Sequence, residues 1–130
     1  HKQAVDRIQV DVPDHVPPVW GDRQRLVIAI QLLLDNALKF SEQAVRIVIS
    51  VSSDYLTIAV QDHGIGIPDE HLSHIFEPFY QVDGSSTRRF GGMGIGLAIV
   101  RFILDYHQTQ IQVTTSPSAG STFSFILPLA

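Results

Sequence analysis

The chain has 130 residues, which at about 100–200 residues per domain makes a single domain spanning 1–130. Hydrophobic residues make up 45% and charged residues 17%, a globular composition that excludes a disordered or fibrous chain. Nine Lys and Arg against thirteen Asp and Glu leave a net charge of −4, which argues against a general nucleic-acid or anionic-membrane binder, and the lack of cysteine removes disulfides, thiolate zinc sites and thiol nucleophiles.

Alternation over residues 8–12, followed by Pro13, Pro17 and Pro18, predicts a short edge strand and a loop. Asp22 is placed to cap a helix running to about Phe40, with Leu26, Ile30, Leu33, Ala37 and Phe40 at helical spacing. Its middle is apolar nearly all round, so it is expected to pack into the core. Val45, Ile47, Ile49 and Val51 alternate, Ser52-Ser53-Asp54 has turn chemistry, and Leu56, Ile58 and Val60 alternate again, which predicts a hairpin. Residues 62–96 gather glycine, charge and aromatics with little periodicity beyond a short helix after Pro68, as functional loops do. A second long helix is expected from Gly94, with Leu97, Val100, Ile103 and Leu104 on one face, ending near His107. Strands at 110–114 and 122–127 follow, closed by Pro128. This order predicts a two-layer α/β sandwich, a mixed and mostly antiparallel sheet of about five strands on about three helices. The most apolar run, residues 26–34, is far shorter than the ~20 residues of a bilayer span, and residues 1–14 are too polar and acidic for a signal peptide.

Three places can carry chemistry. Asn36 and Lys39 stand three apart near the end of the long helix, so an amide oxygen suited to Mg²⁺ and an ammonium suited to phosphate can reach one ligand; the competing reading is a helix cap and a cation for the helix dipole. Asp62 ends an apolar strand, and Gly64 and Gly66 behind it let the backbone approach something flat; the carboxylate can accept a hydrogen bond from an exocyclic amine such as that of adenine, or the segment is a plain turn. Gly91-Gly92-Met93-Gly94-Ile95-Gly96-Leu97 opens the second long helix, where free amides and the dipole favour phosphate. No Lys-Ser or Lys-Thr follows, so this is not a Walker A loop, and its spacing is not the dinucleotide fingerprint. The stretch before it, Ser85-Ser86-Thr87-Arg88-Arg89-Phe90, is polar and basic, as a flap that seeks phosphate would be. His71 and His74 lie three apart with no third ligand in evidence and are read as solvated surface.

In this fixed order the segments resemble the catalytic and ATP-binding domain of bacterial sensor histidine kinases, within the superfamily of gyrase, Hsp90 and MutL. Residues 33–41 resemble its N box, 62–67 its G1 box, 75–80 its F box, 92–97 its G2 box, and Gly120-Ser121-Thr122-Phe123 its closing glycine motif. The resemblance implies the Bergerat-type ATP-binding fold with ATP and Mg²⁺ as ligands. Asn36 would hold the metal, Lys39 would touch phosphate, Phe40 would line the nucleotide, and Asp62 would receive the adenine amino group in a pocket shaped by Gly64, Gly66 and Ile67. Residues of about 82–93 would form an ATP lid, with Arg88 or Arg89 reaching the phosphates and Gly92, Gly94, Gly96 and Leu97 at its hinge and phosphate-facing end. Phe76 and Phe79 would anchor its base, and Ser121 or Thr122 would complete the hydrogen bonds around adenine. The chain departs from the family at Leu32, where a second Asn or a catalytic Glu is usual, at Met93, where Thr is common, and at Gln108-Thr109, where glycines are usual. An aliphatic Leu32 cannot activate water, so hydrolysis is disfavoured as the main reaction.

The resemblance implies a protein-histidine kinase fragment that transfers the γ-phosphoryl group of Mg·ATP to a histidine on a separate dimerisation domain outside this chain, with a response regulator downstream and no nucleic-acid partner. The isolated domain is expected to be a monomer of little turnover, the full kinase a homodimer, and the location cytoplasmic with a parent protein that is either membrane-anchored or free. The alternatives are a nucleotide-responsive or degenerate interaction module, and a protein-serine kinase of the anti-sigma type.

Overall fold

Asp22 caps the first long helix: its carboxylate accepts from the Arg25 backbone N–H at 3.1 Å, and α1 follows as Arg23–Phe40. The computed structural model describes residues 6–80, 95–116 and 118–130. Leu26, Ala29, Leu33 and Ala37 form the buried stripe of α1, with Ile30, Leu32, Leu34 and Leu38 partly buried around it. The helix packs into the core as expected, although Val27 and Ile28, part of its apolar middle, are each 45% exposed. One side of α1 meets the sheet and another meets the second long helix, and the remaining flank faces outward.

The strands are β1 (Ile8–Asp11), β2 (Val45–Val51), β3 (Tyr55–Gln61), β4 (Gln112–Ser116) and β5 (Gly120–Pro128), in the spatial order β1-β2-β3-β5-β4. Among the described residues the β1–β2 pair alone is parallel. The β2–β3 hairpin closes where expected: the Ser52 N–H donates to the Tyr55 carbonyl at 2.8 Å, and the Tyr55 N–H to Ser52 Oγ at 3.2 Å. Strand alternation then sorts the residues. Leu56, Ile58 and Val60 of β3 and Phe123, Phe125 and Leu127 of β5 are buried beneath the helices. Gln61, Thr122 and Thr114 lie side by side across β3, β5 and β4 on the opposite face. Each fully buried Leu, Val or Phe contributes about 1.5–3 kcal/mol of transfer free energy, so this single core carries the domain.

Two more helices lie among the described residues, α2 (Asp69–Leu72) after Pro68 and α3 (Gly96–Tyr106), which buries Val100, Ile103 and Leu104. Among the described residues α3 begins at Gly96 rather than Gly94, and β4 begins two residues later than expected. The second shift has a clear cause: the end of α3 uses up the intervening chain. The Thr109 N–H donates back to the Leu104 carbonyl at 3.0 Å, and Gln108 takes φ = 57°. Strand β5 starts at Gly120, two residues before the expected start, because Gly120 already pairs with Ser116.

His107 locks the two long helices together. Its Nδ1 bonds the Ile103 carbonyl at 2.8 Å, while its Nε2 accepts from the Asp22 N–H at 2.9 Å, which requires the neutral Nδ1–H tautomer. No helix among the described residues is long and apolar enough to cross a membrane.

Candidate functional site

The C-terminal turn of α1 and the loop after β3 are in direct contact. A Cβ on Gly64 would lie 2.0 Å from the Phe40 carbonyl oxygen and 2.9 Å from its carbon, so only glycine lets the loop pass this close to the helix end. The same loop is gripped from β5. A Cβ on Gly120, whose φ is +94°, would lie 2.1 Å from the Asp62 carbonyl oxygen. These two glycines press the Asp62 segment between α1 and the start of β5.

Asp62 is 7% exposed, and its carboxylate is held from two sides. Oδ1 accepts from the Gly64 N–H at 2.9 Å and from the Ser121 N–H at 3.2 Å. The Asp62 N–H donates in turn to the Ser121 carbonyl at 2.9 Å. No donor among the described residues bonds Oδ2. A buried, oriented carboxylate with one oxygen left for a further donor is what recognition of an amino group requires. Gly66 is buried at φ = 76°, and the Ile67 N–H donates to Thr115 Oγ1 at 2.8 Å. Thr115 Oγ1 also bonds Ser121 Oγ at 2.9 Å, so one hydroxyl ties the loop to both β4 and β5.

The register separates two residues that the motif alone leaves equivalent. Ser121 is buried beside Asp62, whereas Thr122 pairs with Gln61 and Thr114 on the far face of the sheet. Two shallow depressions of about 350 and 320 Å³ open along β4 and β5; their linings include Gln112 and Ser124 in one and Gln61, Thr114 and Thr122 in the other, all far-face residues. Neither is lined by Asn36, Lys39, Phe40 or Gly96; the first is distinct from the candidate site, whereas the second is also lined by Asp62, Thr115, Gly120 and Ser121 and so borders it.

On α1, Asn36 and Phe40 are half-buried and Lys39 is exposed. The capping role open to Lys39 is already filled, because the Arg7 guanidinium donates to the carbonyls of Leu38, Ser41 and Gln43 at the helix C-terminus. Lys39 has no side-chain hydrogen bond among the described residues, and neither has Asn36. Leu32 stands one turn before Asn36, and a Cβ on Gly96 would lie 3.7 Å from its Cδ2. The face of α1 that carries Asn36 is therefore set beside the start of α3. Gly96 and Leu97 open α3, whose first turn carries no side-chain cap. Arg88, Arg89, Gly92 and Gly94, with the whole expected lid at 82–93, lie outside the described residues.

Phe76 and Phe79 part company. Phe76 packs edge to face on Phe123 at 6.4 Å, while Phe79 is 65% exposed at φ = 66°. His74 pairs with Glu77 at 2.8 Å and stacks on Tyr80 at 5.1 Å, and His71 bonds the Tyr80 hydroxyl. Thr115 is the site residue that sequence reasoning missed; its inward place on a strand that alternates with Val113 is the one signal that could have found it.

No group of three His, Cys, Asp or Glu among the described residues could hold a metal ion. A cation here would take Asn36 Oδ1 and draw its other ligands from phosphate and water, a hard-oxygen set that fits Mg²⁺.

The fold and the order of these segments define an ATPase-type α/β sandwich, with the loop that follows β3 held between the end of α1 and the start of β5. The chain belongs to the family of histidine kinase-, DNA gyrase B- and HSP90-like ATPases, whose pattern it matches over residues 21–130. It is 38% identical over 103 residues to the sensor histidine kinase YkoH of Bacillus subtilis, covering 79% of this chain and 23% of that protein. It is 37% identical over 133 residues to the sensor-like histidine kinase SenX3 of Mycolicibacterium smegmatis, covering 98% of this chain and 35% of that protein. The structure superposes on the mycobacterial sensor histidine kinase MprB with a TM-score of 0.76 at 26% identity, covering 95% of this chain and 85% of that one. It superposes on full-length ShkA in complex with AMPPNP with a TM-score of 0.81 at 26% identity, covering 99% of this chain and 28% of that one. The expected fold and the resemblance to the catalytic and ATP-binding domain of histidine kinases are thus borne out. The chain spans about a quarter to a third of the length of these curated relatives.

Proposed function

We propose that the chain binds Mg·ATP where the end of α1, the 62–67 loop and the start of α3 meet, and that it presents the γ-phosphoryl group to a histidine on a separate helical dimerisation domain. The observation that carries this reading is Asp62: buried, fixed through Oδ1 by two backbone amides, with Oδ2 left to accept the adenine 6-amino group. Ser121 holds the carboxylate in place, and Thr115 holds the loop that carries Gly66 and Ile67. Asn36 would hold Mg²⁺, which supplies charge neutralisation to the phosphates when bound. Lys39, freed from capping by Arg7, supplies a point charge to the same oxygens, and Arg88 and Arg89 are proposed to do so from the lid at 82–93.

The acceptor imidazole nitrogen attacks the γ-phosphorus in line, the bond to the β-bridging oxygen breaks, and ADP leaves. This chain positions and stabilises, and the nucleophile comes from the partner. Leu32 stands where a water-activating carboxylate would be needed, so hydrolysis is slow. The acceptor domain has a surface to meet: Ile95, Ile99, Phe102 and Tyr106 recur at helical spacing and are 41%, 39%, 71% and 60% exposed. A response regulator would then take the phosphoryl group from the acceptor histidine. A nucleotide-responsive interaction module is the second reading, favoured by the apolar Leu32 beside Gly96.

The test mixes the chain with γ-labelled Mg·ATP and either an added phosphoacceptor helical domain or a serine-bearing substrate. Label on the helical domain that acid removes and base does not supports the histidine kinase reading. Acid-stable label on serine supports the anti-sigma type, and nucleotide binding with no transfer supports the interaction module.

A further inference from the structure

Arg7 sits where the chain enters β1, yet its side chain acts on the far end of α1. The guanidinium donates from Nη1 to the carbonyls of Ser41 at 2.5 Å and Gln43 at 3.2 Å, and from Nη2 to the carbonyl of Leu38 at 3.3 Å. Its own carbonyl accepts from the Val45 N–H at 2.9 Å, which fixes its backbone to the first residue of β2. A helix ends with carbonyls that lack an internal partner and with the negative pole of its dipole; Arg7 bonds one of these carbonyls, that of Leu38, together with those of the C-cap Ser41 and of Gln43 just beyond, and brings a planar cation to the negative pole. Ser41 adds only a local bond, its Oγ accepting from the Gln43 N–H at 3.1 Å.

The turn secured in this way is the turn that carries Asn36, Lys39 and Phe40. The Phe40 carbonyl is also the surface against which Gly64 packs, and the Gly64 N–H holds Asp62 Oδ1. A continuous set of contacts therefore runs from the segment ahead of β1, through Arg7 and the last turn of α1, to the carboxylate of Asp62.

We propose that Arg7 is a positioning residue for the nucleotide site: it fixes the last turn of α1 against the Asp62 loop and so couples the placement of the segment entering β1 to nucleotide affinity. The inference rests on the nucleotide reading of the site. Arg7 touches no ligand itself. Displacing it lets the end of α1 fray, which moves Asn36 and Lys39 together and loosens the support beneath Gly64. A Lys at this position keeps the charge and loses the fork that reaches three carbonyls, so it restores only part of the effect.

The test titrates Mg·ATP into the 130-residue chain, Arg7→Gln, Arg7→Lys and Arg46→Gln, each at a temperature where it is fully folded. Arg46 is the control, because it pairs with Asp11 at 2.6 Å across β1 and β2, away from the helix end. The expected result is an affinity about tenfold weaker for Arg7→Gln, an intermediate value for Arg7→Lys and no change for Arg46→Gln. In amide ¹H–¹⁵N spectra without nucleotide, Arg7→Gln shifts residues 36–40 and 62–64. An unchanged affinity for Arg7→Gln, or an equal loss in Arg46→Gln, overturns the proposal. If the unaltered chain binds no nucleotide, the reading of the site fails, and the spectra decide the role of Arg7 alone: shifts confined to residues 7–8 and 41–45 overturn it.

Discussion

Gly64→Ala tests the contact that joins the two halves of the site. The added Cβ would lie 2.0 Å from the Phe40 carbonyl oxygen, and unbonded heavy atoms do not approach a Cβ closer than 3.0 Å, so the helix end and the loop must separate by about 1 Å. The nearest atoms are backbone and cannot swing aside as a flexible side chain would. Overpacking of this kind costs about 1–3 kcal/mol, against a gain of at most about 1 kcal/mol from the stiffer unfolded chain. A backbone clash this close lies at the upper end of that cost, so the net loss is about 2 kcal/mol, and at roughly 3–5 °C per kcal/mol for a domain of this size the melting temperature should fall by about 6–10 °C. The same shift carries Asp62 away from Asn36 and Lys39, so Mg·ATP affinity should fall at least about tenfold at a temperature where the variant is folded. Gly96→Ala is the internal contrast: its Cβ meets only Leu32 Cδ2 at 3.7 Å, an ordinary contact, and the change should stabilise by about 0.5–1 kcal/mol. Calorimetric melting and titration of both variants read these values. A Gly64→Ala chain that melts and binds as the unaltered one does would refute the reasoning.

The other predictions follow from single residues. Gln108 holds φ = 57° at the end of α3, so Gln108→Gly should raise stability in urea by about 0.5–1 kcal/mol, and a loss would show that its side chain matters more than its backbone. The Arg25 backbone N–H, aided by the Arg25 guanidinium, holds the Asp22 carboxyl below the usual carboxylate range. Its stabilising effect is therefore present above the unfolded-state value and lost as pH falls through the lower native one, so Asp22→Asn should flatten the acid limb of a stability–pH curve below about pH 4. Phe102 is 71% exposed, and Phe102→Glu should leave stability within about 0.5 kcal/mol and nucleotide affinity unchanged while cutting transfer to an added phosphoacceptor domain at least about tenfold.

Much of the fold could be read before any coordinates because its signals are local. Asp22 and the spacing of Leu26, Leu33 and Ala37 define α1, and Ile47, Ile49, Leu56 and Ile58 alternate around a serine turn. The limits of that reading are where the deciding contact is distant in sequence. Ser121 and Thr122 are chemically alike and adjacent, and only the pairing of β5 with β3 and β4 says which one faces Asp62. Thr115 supports the Asp62 loop from 48 residues away, within a run of hydroxyls where its alternation with Val113 says only that it faces inward and not what it holds. Arg7 reads as an ordinary surface cation until the parallel pairing of β1 with β2 brings it to the end of α1. Phe79 shares a motif and a chemistry with Phe76, yet its positive φ turns the backbone out of the packing that Phe76 joins. The start of β4 lies later than its pattern suggests because a left-handed Gln108 closes α3 where a glycine would mark the turn openly.

The central claim is that Asp62 reads the amino group of a purine triphosphate. Its most direct measurement is a calorimetric comparison of Mg·ATP with Mg·inosine triphosphate, which lacks that amino group, on the unaltered chain and on Asp62→Asn. A hydrogen bond to a carboxylate is worth about 1.5–3 kcal/mol, so the unaltered chain should prefer ATP by about 10–150-fold and Asp62→Asn should lose that preference. Equal affinity for the two nucleotides, or a preference that survives Asp62→Asn, would contradict the account.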